Sequence, residues 1–325
     1  MKNTYIGSPS QLYGVEEMRL VGGKGDGMRF YRVRNGLGLS FSVSCDRAAD
    51  LSRLEFDGYN FGFFAPCGYV SPQYFDPKGE GFLKSFTGGF LTTCGLSNVG
   101  EPCHDDGEDL PLHGTVSHIP AQNVRYEITP EKIVIYATVL DASAFGKSLV
   151  LEREYHVSLL RNEIVLRDRV RNTGLDPVPF QILYHFNVGY PLLTEDTVLT
   201  IPSKHVAPRN DHAATGINAW SKMEKPQKGY EEMCFYHTME KVAKVSVFSP
   251  AIQKGFLMEY DTAQLPCFTE WKMMGERDYV LGVEPGNAYP DGRDVMREKG
   301  MLTYLDAGEV QEKTIRLAFL RKEDL

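Results

Sequence analysis

Apolar and polar residues alternate with a period of two through most of this chain. Stretches of ten or more residues with the 3.6-residue helical period are nearly absent. Met28 to Val33, then Asn35-Gly36, then Leu37 to Val43 predict a hairpin that turns at the Asn-Gly pair. Ile133 to Val139, Leu149 to Val157, Glu163 to Val170 and Val178 to Phe186 predict further strands, the last two separated by an Asn172-Thr173-Gly174 turn. The pattern resumes at Val242 to Phe248, Gly255 to Tyr260, Cys267 to Met273, Met301 to Leu305 and Thr314 to Phe319. Strands joined by short polar turns predict an all-β fold, a large antiparallel sandwich or barrel. No Pro/Ser-rich linker, low-complexity tract or fixed-period repeat divides the chain, so one domain over residues 1–325 is expected. The polar stretch Ile201 to Gly229, with Pro202, Pro208 and Pro226, reads as a long loop, either a functional lid or a sheet-bridging excursion.

Composition narrows the function classes. The net charge is −8 and no long basic run appears, which argues against nucleic acid as a partner, since phosphate neutralisation needs clustered Lys and Arg. No apolar run reaches the ~18 residues of a membrane span, and the start, Met1-Lys2-Asn3-Thr4-Tyr5, opens no secretory apolar region. The six cysteines (45, 67, 94, 103, 234 and 267) are scattered without a CxxC pair, as expected for reduced thiols in a cytoplasmic protein. Cys94, Cys103, His104 and His113 match no common zinc spacing, so neither a metal nor another cofactor is expected. The Gly22 to Gly27 run leads into a strand, whereas a phosphate cradle leads into a helix. Gly95 to Gly100 lacks the spacing of a nucleophile elbow.

Three segments carry the candidate chemistry. In Val280-Leu281-Gly282-Val283-Glu284-Pro285-Gly286 a carboxylate ends an apolar run, and the Pro-Gly pair predicts a turn directly after it. Leu112-His113-Gly114 and Tyr184-His185-Phe186-Asn187 each deliver a histidine, giving a carboxylate and two histidines on separate strands. That is the minimum set for moving protons on and off a neutral polar substrate. Arg47, in Cys45-Asp46-Arg47-Ala48-Ala49-Asp50, reads either as an ion-paired turn or as a fork for sugar hydroxyls or a carboxylate. Trp271, in Thr269-Glu270-Trp271-Lys272, reads either as a core residue or as a flat face for a pyranose.

These segments, together with Gly88-Gly89-Phe90-Leu91-Thr92-Thr93-Cys94-Gly95-Leu96, resemble in order and spacing the aldose 1-epimerase (galactose mutarotase-like) superfamily, in its divergent DUF4432-type branch. The resemblance runs from about residue 20 to 320 and implies a β-supersandwich of antiparallel strands with a sugar cleft. It implies that His185 is the general acid, Glu284 the general base and His113 a substrate ligand. Arg47, Asn98, Asn187, Glu270, Trp271 and Lys272 complete the expected substrate-binding set. The superfamily's Asn-Arg pair has no clear equivalent, Leu96-Ser97-Asn98 being the nearest segment, and its Gln-x-Tyr-type strand is replaced by Thr269-Glu270-Trp271-Lys272. The implied reaction interconverts the anomers of a small-molecule sugar. An epimerase or lyase acting on a keto-sugar in the same cleft, or a non-catalytic sugar-binding protein, stays open, as does a homodimer.

Overall fold

Alternation in the sequence becomes alternation of burial. Along Ser148–Ser158 every second side chain is buried, from Leu149 through Val157, as a pleated strand with one face on a core requires. The computed structural model describes residues 4–324. Its largest sheet has eight strands: Gln122–Ile128, Lys132–Ala142, Ser148–Ser158 and Glu163–Asn172 in sequence order, then Val310–Arg321, Lys254–Asp261, Val242–Ser249 and Val198–Thr200. A second sheet runs through Ser203–Pro208, Met233–Met239, Cys267–Met274, Tyr279–Gly286 and Val178–Val188. Thr303–Leu305 and Leu91–Leu96 also pair with the long Val178–Val188 strand. The N-terminal residues form a five-stranded antiparallel sheet from Gly14 to Asn60. All pairings between named strands are antiparallel, the expected fold class.

The apolar faces share one core whose side chains come from all three sheets, including Phe41, Phe90, Tyr155, Phe186, Val247, Leu281 and Phe319. Burying each such side chain is worth about 1.5–3 kcal/mol. The two α-helices of the described residues, Asp211–Thr215 and Arg293–Glu298, are single short turns. No helix of the described residues is long and apolar enough to cross a membrane.

Three local expectations differ from the structure. The first hairpin pairs Arg34 with Ser40, so its loop is longer than a two-residue turn. The Asn35 side chain organises that loop by accepting from the Leu37 and Leu39 amides. The Ile201 to Gly229 stretch contains the edge strand Ser203–Pro208 and the helix Asp211–Thr215, capped by Asn210. Finally, no turn follows Glu284. The strand runs on through Pro285 to Gly286, and the chain is anchored just beyond by Asn287, which bonds the Ile182 amide and the Phe180 carbonyl.

Candidate active site

Register in the second sheet brings the main pair together. Leu183 pairs with Gly286 and Phe186 with Val283, which sets residues 185 and 284 opposite each other on adjacent strands. Thr92 stands across from His185 on one side, and Thr269 across from Glu284 on the other. His185 Nε2 lies 3.2 Å from Glu284 Oε1, with His185 5% and Glu284 1% exposed. Yet His185 Nδ1 has no hydrogen-bond partner, and the Glu284 Oε1 contact with His185 Nε2 lacks hydrogen-bond alignment. Buried polar atoms are nearly always paired, and leaving one unpaired costs about 1–3 kcal/mol. Both residues line a cleft, so these unpaired groups sit beside space that a ligand can enter.

Gly282 makes the carboxyl's position sterically accessible. Two residues before Glu284 it shares that residue's face of the strand. A Cβ there would lie 2.1 Å from Glu284 Oε1 and 2.9 Å from Trp271 Cβ.

His113 arrives from a loop, not from a strand as expected. Its φ of 58° places it in the left-handed region, a strained state for a non-glycine residue that persists only when its surroundings enforce it. Its amide donates to Gly100 O (2.8 Å) and its carbonyl accepts from the Gly95 amide (3.0 Å). Its Nδ1 accepts from the Gly100 amide at 3.3 Å, which leaves the ring proton on Nε2. Gly114 must be glycine, because a Cβ would sit 2.4 Å from Gly95 O. The His113 and His185 rings are 5.6 Å apart, and the His185 ring meets Trp271 edge-on at 5.2 Å.

These four residues line a cleft of about 260 Å³, just below the roughly 300–1,000 Å³ usual for ligand sites. Phe82, Leu83 and Phe86 form an apolar wall. Glu80, Glu101, Arg209 and Glu232 add charge, none of it anticipated from the sequence. Trp271 Nε1 donates to Glu232 at 2.7 Å. Arg209 follows Pro208 in the long stretch read as a lid or a sheet-bridging excursion, which was the one available signal. Glu232 lies just past that stretch and had no signal.

Burial sets the protonation states. It pushes His185 down to about 4 and holds the Glu284 carboxyl well above the usual carboxylate range. Glu232 pushes Glu284 further up and Arg209 opposes it. His113 is pushed down to about 3 by burial, then by His185 and Arg209. The cleft thus favours a neutral carboxyl facing a neutral imidazole, one proton between them. The resemblance implied the ionised form, a carboxylate and an imidazolium, which has the same proton count.

The remaining expected ligands are not brought into the cleft. Arg47 is buried and donates to the Ser117, Val70 and Ser85 carbonyls, with His118 Nε2 at 3.0 Å. It matches neither reading of its turn, since Asp46 pairs with Arg29. Arg47 instead staples the segment that carries the Phe82 wall. Asn98 donates to the Glu101 and Pro111 carbonyls and accepts from the Arg293 amide, tying down the loop that leads to His113. Asn187 is buried and donates to the His185 carbonyl. Glu270 and Lys272 lie one residue either side of Trp271 and so point through the opposite face of the sheet. There Glu270 meets His237 at 3.2 Å, and Lys272 donates to the Lys222 carbonyl at 2.6 Å. Among the described residues no three His, Cys, Asp or Glu side chains converge as a metal would need.

A family model described as a domain of unknown function, DUF4432, matches residues 25–319. A solved structure from Klebsiella pneumoniae subsp. pneumoniae MGH 78578, described as a candidate aldose 1-epimerase, matches with a TM-score of 0.89 at 27% identity, over 96% of this chain and 85% of that one. A galactose mutarotase-like protein from Clostridium acetobutylicum gives 0.67 at 11% identity, over 96% and 99%. The galactose 1-epimerase of Lactobacillus acidophilus NCFM gives 0.63 at 14% identity, over 95% and 99%. The last two establish a common galactose mutarotase-like fold and nothing more. No curated protein matches the chain.

Proposed function

This chain belongs to the DUF4432 family, and we propose that its cleft binds a free sugar and interconverts the anomers by opening and reclosing the ring. The observation that carries the reading is the buried pair His185 and Glu284, set opposite each other at 3.2 Å on the lining of the cleft. Ring opening takes a proton from the C1 hydroxyl and delivers one to the ring oxygen, and a single proton shared by an acid and a base suffices for both transfers. On sugar entry the proton passes from Glu284 to His185 across their contact. The Glu284 carboxylate then takes the C1 hydroxyl proton while the His185 imidazolium protonates the ring oxygen, and the C1–O5 bond breaks. Rotation about C1–C2 and the reverse transfers close the other anomer and restore the pair. His113, with its proton on Nε2, donates to a sugar oxygen, and Trp271 offers an aromatic face to the ring's C–H groups.

Support comes from the site geometry, from the small cleft and from the 27% identical structure described as a candidate aldose 1-epimerase. The test is two-dimensional NMR exchange between α and β anomers over a panel of free aldoses. Accelerated exchange of at least one aldose, lost in Glu284→Gln and in His185→Ala, is expected. No acceleration of any aldose sinks the reading.

A further inference from the structure

We propose that the cleft takes a sugar with no acidic group, refusing a phosphate, sulfonate or carboxylate while accepting a protonated amine; this rests on the sugar reading above. Besides Glu284, which burial holds neutral, three lining residues are acidic, Glu80, Glu101 and Glu232, against one cation, Arg209. That cation is already committed. Its guanidinium lies 2.5 Å from Glu101, 3.6 Å from Asp291 and 3.9 Å from Glu232, and it donates to the Pro290 carbonyl at 3.3 Å. Three carboxylates around Arg209, of which Asp291 is shared with Lys299, leave the group net negative.

Among the described residues no other lysine or arginine lines the cleft. Both cleft histidines are pushed to their neutral forms by burial. Lys84 pairs with Asp76 and Lys299 with Asp291, each at 2.7 Å. Lys272 is turned to the far side of the sheet, and Arg47 is bound by carbonyls. The Glu80 carboxylate, by contrast, has no ion pair or hydrogen bond among the described residues. An anionic substituent would enter a cleft whose free charge has its own sign, a juxtaposition that opposes binding. An ammonium group would meet Glu80 or Glu232 instead. That a ligand belongs here at all is marked separately by the buried, unpartnered His185 Nδ1.

The experiment compares matched sets in the gluco, galacto and manno series: the aldohexose, its 2-amino-2-deoxy analogue, its 6-phosphate and its uronic acid. Binding is read by saturation-transfer NMR and calorimetry at low and high salt, and anomer exchange is recorded in parallel. In the series that binds, the phosphate and the uronate should bind at least about tenfold more weakly than the parent at low salt. That gap should shrink at high salt, and the amine should bind within about threefold of the parent or more tightly. Glu80→Lys should narrow the penalty on the phosphate. An acidic analogue that binds as tightly as its parent overturns the inference and leaves the anomerase reading standing. Discrimination as expected without anomer exchange upholds the inference and sinks the anomerase reading. Failure of every sugar to bind sinks both.

Discussion

At the scale of the residue, burial holds both Glu284 and His185 in their neutral forms, and that has separable consequences for activity and stability. Glu284→Gln keeps the shape but cannot accept a proton, so anomer exchange should vanish while sugar affinity stays within about tenfold. The same change should stabilise the protein. A carboxyl whose folded pKa lies above its unfolded value contributes stability that is complete below the unfolded pKa and is lost as pH rises through the folded one. Glutamine has no such loss, so the variant should gain at least about 1 kcal/mol at pH 7 in denaturant unfolding, and little at pH 4. A variant less stable than wild type at neutral pH would mean that Glu284 is not held as burial dictates. For activity, the proposed mechanism needs the pair to carry one proton. kcat/KM should therefore be bell-shaped, with an acid limb near the lowered His185 value of about 4 and an alkaline limb well above the carboxylate range. Gly282→Ala, which inserts a methyl group 2.1 Å from Glu284 Oε1, should cost exchange activity at least about a hundredfold by displacing the reacting carboxyl. Activity near wild type would show that Glu284 is free to move.

At the scale of the element, one strand presents two different surfaces. Cys267–Met274 turns Trp271 to the cleft and Glu270 and Lys272 away from it, although the three are adjacent in sequence. The Glu270-Trp271-Lys272 run reads as one polar, sugar-binding unit only if pleating is ignored. The paired register Trp271↔Gly282 and Glu270↔Val283 splits it. The strands themselves were legible because period-two alternation is written along each one. The face of a residue flanked by buried sheet on both sides was not, since both faces are apolar and alternation loses its meaning there. His113 and the Pro285-Gly286 pair show the same limit: their segments were identifiable, but their backbone states depend on Gly95, Gly100 and the neighbouring strand, which are distant in sequence. Substitution separates the two surfaces. Trp271→Ala should weaken sugar binding about tenfold through loss of the aromatic face. Lys272→Ala should leave sugar affinity unchanged within about twofold and loosen the Ala219–Glu224 segment that its ammonium holds, seen as faster amide hydrogen exchange there. Equal losses of affinity in both variants would mean that the strand acts as one surface.

At the scale of the whole molecule, the sheets are joined behind the cleft by a buried ionic network that no local sequence pattern announced. Arg153 is fully buried, donating to both oxygens of Asp168 at 2.9 and 2.7 Å, to Asp50 at 2.6 Å and to Thr93 at 2.8 Å. Asp168 also accepts from Tyr184 at 2.8 Å, and Asp50 from the Thr93 amide at 2.7 Å. Arg153 and Asp168 face each other in the eight-stranded sheet, Asp50 begins a strand of the N-terminal sheet, and Thr93 and Tyr184 pair in the sheet that carries the cleft. The network thus spans three sheets and ends one residue from His185. In the sequence its members are ordinary charged residues of amphipathic strands, and only the stacking of the sheets turns them inward together. Such a network contributes little when intact relative to an apolar replacement, but removing one partner strands the others without counter-charge, at about 3–5 kcal/mol. Arg153→Ala should therefore lower the unfolding free energy by that amount in urea titration. Because Tyr184 precedes His185, the proposed general acid, kcat should fall in the folded variant while KM for the sugar changes less. The measurement is made at a temperature where both proteins remain folded by circular dichroism. A loss below about 1 kcal/mol, or an unchanged kcat, would show that the three sheets hold the His185 strand in place without this network.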